Sequence, residues 1–152
     1  MNVAVNPAEQ ALELTRVLNA SRERVFAAWI DPDQAARWWV PAGCTLVSCK
    51  MDVRAGGGWH RRLRVADGTV ITKWGEYREV LSPERLVFTY NTEYADGRID
   101  PETLVTVTLE DLGGRTRLTL RHERFWSEPA RISHTGGWNS ALDRLAPFID
   151  HA

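Results

Sequence analysis

The chain has 152 residues, 43% of them hydrophobic, with 19 basic against 20 acidic side chains. That length suits a single domain able to bury about two-thirds of its unfolded surface without disulfides. Balanced charge with no block of like sign argues against a nucleic-acid partner, and no apolar run approaches a membrane span.

Residues 1–11 read as a flexible lead and 12–152 as one domain, with no repeat or linker to mark a second. The lead has no basic stretch followed by an apolar core, so a cytoplasmic location and no membrane partner are expected. Leu12-Glu13-Leu14-Thr15-Arg16-Val17-Leu18 alternates apolar with polar residues, the signature of a half-buried strand. Ser21 then caps a helix with Glu23 in its first turn and Val25, Phe26, Trp29 and Ile30 on one face, until Pro32 stops it. Asp31 caps a second helix, with Pro32 at its first position, Gln34 three residues after the cap, and Trp38 and Trp39 before Pro41.

From Thr45 to His122 the pattern is strands and turns. Cys44 and Cys49 lie five residues apart in what reads as a strand, on opposite faces and about 16 Å apart, too far for a disulfide. Asp67-Gly68 reads as a tight hairpin between Trp59–Ala66 and Thr69–Val80. Ser82-Pro83-Glu84, the stretch around Ala95-Asp96-Gly97, and Gly113-Gly114 supply the later turns. Pairing Glu110 with Arg115 sets Val107 opposite Leu118 and Val105 opposite Leu120, and separates an apolar face from a charged one. The C-terminal segment covers the apolar face, with His134, Trp138, Leu142 or Ala141, Leu145 and Ile149 forming a helical stripe that Pro147 should kink or restart. The fold expected is α+β: a curved antiparallel sheet wrapped around a long C-terminal helix, with two short helices after the first strand.

Seven tryptophans are more than a core of this size needs, which suggests walls of a cavity for something apolar. Pairing Ala66 with Thr69 puts Trp59, Arg61, Leu63 and Val65 on one face with Val70, Thr72, Trp74 and Glu76. The same inward phase adds Phe88, Tyr90, Val105, Val107, Leu118, Leu120 and His122. Arg61 and Glu76 either pair with each other, as inward charges usually do, or serve a ligand. The histidines His60, His122, His134 and His151 have no metal-ligand spacing. Gly56-Gly57-Gly58 lacks the Lys-Ser/Thr ending of a phosphate loop and more plainly lets the chain bend at a strand start. No serine or cysteine has a nucleophile's context, so no catalytic residue, metal or cofactor is assigned.

Leu14-Thr15-Arg16-Val17 leading into Ser21-Arg22-Glu23-Arg24-Val25-Phe26-Ala27-Ala28-Trp29, then Arg37-Trp38-Trp39 and Gly56-Gly57-Gly58-Trp59, resembles the heat-shock protein 90 ATPase activator homologue family. This is a branch of the START-like superfamily, with the polyketide cyclases and birch-pollen-allergen-like proteins. Gly75-Glu76-Tyr77-Arg78-Glu79-Val80, Ser82-Pro83-Glu84-Arg85-Leu86-Val87-Phe88-Thr89 and Gly137-Trp138 agree with it, so the resemblance spans roughly Glu13 to Asp150. It implies a helix-grip fold with a pocket between the concave sheet face and the last helix. Fold does not settle function within such a group.

The expected function is binding of a small hydrophobic or aromatic ligand, with Trp39, Trp59, Arg61, Trp74, Glu76, Tyr90, Val105, Val107, Leu118, Leu120, His122, His134 and Trp138 around it. A cyclase or hydratase using the same cavity is the alternative, with Arg61, Glu76, Tyr90, His122 or His134 moving protons. The family name suggests a chaperone-associated module, which the sequence itself does not support. A homodimer is compatible with the chain.

Overall fold

Alternation in the sequence becomes seven strands of one antiparallel sheet in the computed structural model, which describes residues 10–150. Most of the expected lead, and His151, lie outside the described residues. Strand β1 (Leu12–Leu18) is followed by helices α1 (Arg22–Ile30) and α2 (Pro32–Trp38). Strands β2 (Thr45–Met51), β3 (Gly58–Arg64), β4 (Val70–Leu81), β5 (Arg85–Glu93), β6 (Thr103–Asp111) and β7 (Thr116–Glu123) come next, and α3 (Glu128–Asp150) ends the chain. The spatial order β1-β7-β6-β5-β4-β3-β2 puts β1 and β2 at opposite edges, so α1 and α2 carry the chain from one edge to the other.

The local signals for the short helices act as their chemistry requires. Ser21 Oγ accepts the Arg24 amide at 3.2 Å and Asp31 Oδ1 accepts the Asp33 amide at 3.0 Å, each satisfying a first-turn N–H that has no helical partner. Gln34 departs from the reciprocal capping pattern: its amide donates to the Asp31 carboxylate at 3.1 Å. Helix α3 begins after Ser127, whose Oγ accepts the Ala130 amide at 3.2 Å, and runs through Pro147 without a restart. Proline removes one helical N–H, but here only three residues remain after it, and Leu145 and Ile149 on either side are buried.

Registers decide which face each side chain takes. Gly113 and Gly114 both have positive φ and Leu112 N–H donates to the Arg115 carbonyl at 2.8 Å, a two-residue hairpin turn of the kind that needs left-handed backbone twice. Glu110 therefore pairs with Arg117 rather than Arg115, and Val107 and Val105 face Leu120 and His122. This shift of two residues exchanges partners and preserves faces, so the apolar side stays apolar. On the other side, Arg117 pairs with Glu110 at 3.0 Å and Arg121 with Glu13 at 3.6 Å, exposed contacts worth little individually.

The Asp67-Gly68 hairpin differs by one residue, which matters more. Val65 N–H donates to the Thr69 carbonyl at 2.9 Å and Gly68 has φ of 89°, so the loop has three residues, 66–68, with the glycine left-handed. Arg61 consequently faces Lys73, and His60 faces Trp74. Trp74 and Glu76 turn to the convex side of the sheet, where Glu76 pairs with Arg78 at 3.0 Å. A register break between Leu46 and Ser48 in β2 likewise puts Cys49 opposite Arg61, on the face of Leu46 and Leu63. The expectation of two cysteines in one regularly alternating strand fails, because Cys44 precedes β2 and one extra residue resets the alternation before Cys49. Both thiols are free and half-buried.

Candidate functional site

Five of the tryptophans form a single cluster between sheet and helices. Trp39 is the hub, with ring centroids 6.1 Å from Trp29, 6.1 Å from Trp38, 5.2 Å from Trp59 and 5.8 Å from Trp138. All five are buried. Several of their polar N–H groups are spoken for: Trp38 donates to the Ala28 carbonyl at 2.9 Å and Trp59 to the Thr89 carbonyl at 3.2 Å. Much of the tryptophan is therefore packed interior, not cavity wall.

What remains open is a cavity of about 200 Å³ between the concave face of β3–β5 and the middle of α3. Trp39, Pro41, Leu63, Ile71, Tyr90, Tyr94 and Trp138 supply its apolar walls, and Arg61, Lys73, Ser133 and His134 its polar groups, with Gly137 and Ala141 beneath them on the helix. Of the residues named from the sequence, Trp39, Arg61, Tyr90, His134 and Trp138 meet here. Trp59, Val105, Val107, Leu118, Leu120 and His122 are buried core around the cavity and do not line it. Trp74 and Glu76 belong to the convex side, for the register reason above. Lys73 and Ile71 were missed by the same slip, and Gly137 because a glycine carries no chemical signal.

Gly136 and Gly137 lie inside α3, where each glycine costs about 1 kcal/mol relative to alanine. A Cβ built at Gly137 would meet nothing within 4 Å, so no packing contact demands the glycine. Its missing side chain contributes to the open volume.

Arg61 is 2% exposed and anchors one end of the cavity. Its guanidinium lies 4.1 Å from the Trp39 ring centroid, donates to the Trp39 carbonyl at 2.8 Å and to the Tyr90 hydroxyl at 2.9 Å, and leaves Nε–H without a partner. Burial lowers its pKa from the ordinary arginine value. The expected pairing with Glu76 does not occur. Lys73, its neighbour across the strand, donates to Thr92 Oγ1 at 2.9 Å.

The two histidines differ. His122 is fully buried, and Trp138 Nε1–H donates to its Nδ1 at 3.0 Å. An indole N–H can only donate, so Nδ1 is the acceptor and Nε2 carries the hydrogen, which goes to Thr103 Oγ1 at 2.6 Å. Thr103 in turn donates to the Tyr90 carbonyl at 3.1 Å. Burial first, then the charges of His134 and Lys73, push the His122 pKa well below its usual value. The ring is neutral with both nitrogens engaged. His134 Nδ1 donates to the Ala130 carbonyl at 2.8 Å, which leaves the Nε2 lone pair for a donor in the cavity. Burial and Lys73 lower its pKa too, against the opposing effect of the Ala130 hydrogen bond. Tyr94, at the rim, donates to Asp100 at 2.6 Å, and burial with that bond pushes its pKa up to about 12.

A second depression, about 830 Å³, lies on the convex side around His60, Arg62, Trp74 and Ile99. It is larger, but it is an open groove, whereas the inner cavity is walled by buried aromatic residues and holds the buried arginine. Among the described residues no group of three metal-ligating side chains occurs, and no helix is long and apolar enough to cross a membrane.

A curved antiparallel sheet closed by a long C-terminal helix, with an aromatic cavity between them, defines a START-like helix-grip domain. The chain belongs to the activator of Hsp90 ATPase homolog 1-like family, whose sequence model matches residues 19–150. Among solved structures it is similar to a protein of Chromobacterium violaceum at 29% identity and a TM-score of 0.78, over 92% of this chain and 97% of that one. The AHSA1 protein of Silicibacter pomeroyi is 27% identical with a TM-score of 0.79, over 90% and 95%. A protein of Arthrobacter aurescens is 25% identical with a TM-score of 0.80, over 99% and 92%. A comparison with curated proteins yields no significant match.

Proposed function

We propose that the chain is a cytoplasmic small-molecule binding domain that takes a hydrophobic or aromatic ligand in the cavity between the sheet and α3. The observation that carries this is a packed interior, five indoles among its side chains, that keeps about 200 Å³ open beside Gly137. A buried apolar cavity of about 150 Å³ holds benzene, so this one suits a single ring with a short substituent. The free, half-buried thiols suit a reducing compartment. A cyclase or hydratase would have to work through His134 Nε2, the lone pair left open toward the cavity, because His122 has no nitrogen to spare.

Titration with one-ring aromatics such as indole, p-cresol and benzoate, followed by tryptophan fluorescence and calorimetry, tests the proposal. Trp39 and Trp138 line the cavity, so saturable binding should quench or shift their emission. Gly137→Leu should abolish that response while leaving the melting transition cooperative, since its side chain enters open space. No saturable ligand in the panel, or binding that Gly137→Leu leaves intact, would overturn the reading.

A further inference from the structure

Arg61 and Lys73 are direct cross-strand partners in the register of β3 and β4, and both side chains face the cavity. Like charges placed opposite one another in a sheet destabilise it, and a buried guanidinium without a counter-charge is expensive. Among the described residues no carboxylate lies within 4.0 Å of either cation. Asp100, the acid at the rim, is engaged by the Tyr94 hydroxyl. Cys49, opposite Arg61, is no substitute, because burial raises its pKa and keeps the thiol protonated. Of the five N–H donors of a guanidinium, Arg61 uses two on a carbonyl and a hydroxyl, and its Nε–H is buried without a partner. The wall thus carries two positive charges, unused donors and no acid.

We propose that the cavity selects its ligand by negative charge, and that the ligand class is a one-ring aromatic carboxylate held by Arg61, with Lys73 as the second cation. This rests on the small-molecule reading above and adds the charge and size of the ligand. The ring lies against Trp39, Tyr90 and Trp138, and the carboxylate supplies the acceptors that the protein does not. Volume sets the limit of one ring with a short acid-bearing arm. Burial is the main cause that lowers His122 and His134, and the positive charge of Lys73 adds to it at both, which agrees with a site whose field favours anions.

The test compares isosteric acid and amide pairs on the full chain: benzoate against benzamide, and phenylacetate against phenylacetamide, by calorimetry at neutral pH. Each acid should bind at least about tenfold more tightly than its amide, as expected when charged hydrogen bonds replace neutral ones. Arg61→Met should remove most of that preference, and Lys73→Met part of it. Lys73 is half-buried and its ammonium gives up only the Thr92 hydroxyl and the face of Tyr90 on substitution, so its variant remains informative if Arg61→Met fails to fold. Amides that bind as well as acids would overturn the charge selection while leaving the cavity reading in place. An acid preference undiminished in folded Arg61→Met or Lys73→Met protein would overturn it as well, by placing the anion elsewhere. Failure of all four probes to bind would overturn the aromatic-carboxylate proposal, and the cavity reading falls with it only if indole and p-cresol fail too.

Discussion

Trp138 on α3 donates its indole N–H to His122 Nδ1 on β7 at 3.0 Å, and this one bond fixes the position of the helix and the tautomer of the histidine together. The helix is tied to the sheet at the centre of its apolar stripe. Trp138→Phe keeps most of the ring but strands a buried acceptor, and should cost about 1–3 kcal/mol. Trp138→Ala should cost about 3–5 kcal/mol, the range for removing a core aromatic. Urea denaturation measures both, and an alanine variant within 1 kcal/mol of wild type, about the scale of a surface change, would contradict the packing.

His122 should make stability fall in mild acid. Its folded pKa lies below the value of about 6.5 expected for an unfolded histidine, so the unfolded chain binds the extra proton. The contribution is complete above pH 6.5 and is lost as pH falls toward the folded pKa, by about 1.4 kcal/mol per pH unit. His122→Gln lacks this linkage. Between pH 6.5 and 5.5 wild type should lose about 1 kcal/mol more than the variant, and parallel losses would show that His122 is not held neutral.

Gly137→Ala should stabilise the fold and weaken ligand binding at once. Alanine in a helix interior gains up to about 1 kcal/mol over glycine, and here its methyl meets no neighbour within 4 Å. A higher denaturant midpoint together with weaker benzoate binding is the expected pair of results. A lower midpoint would mean that the helix packs more closely at this point than described.

Gly75→Ala should do the reverse. A Cβ there would collide with the Thr89 carbonyl oxygen and with Trp59 Nε1, which donates to that same oxygen. Backbone cannot step aside cheaply, so a loss of about 1–3 kcal/mol or more is expected in thermal melts. Gly58→Ala is the control, since its nearest contact is the Gly75 carbonyl oxygen at 3.7 Å.

Neither a chelator nor a reductant should move the melting temperature. The cysteines are unpaired, and no metal-ligating group of three is present among the described residues. A fall with either reagent would identify a site that the described residues do not account for.

Element order and helix starts were legible because their causes are local. Ser21 and Asp31 satisfy amides two or three residues away, and alternation marks a half-buried strand wherever it pairs. The final hairpin tolerated an error of two residues because side chains repeat every second position, so Val105, Val107, Leu118 and Leu120 were placed inward correctly. The Asp67-Gly68 hairpin did not tolerate an error of one. Asp-Gly fits both a two-residue turn and the end of a three-residue loop, and only the pairing of β3 with β4 along their length distinguishes them.

The sequence by itself therefore determined the helix-grip architecture, the apolar face of the sheet, and the meeting of Trp39, Arg61, Tyr90, His134 and Trp138 near α3. Tertiary structure alone decided that Trp74 and Glu76 face outward, that Lys73 stands beside Arg61, and that five indoles pack into one buried cluster. The physical reason is common to all three: they depend on register and packing between segments far apart in the chain, where one residue of slip exchanges the two faces of a strand. Arg61 reads in sequence as one half of an ion pair, and becomes a buried cation with donors to spare only once Glu76 is carried to the other side of the sheet.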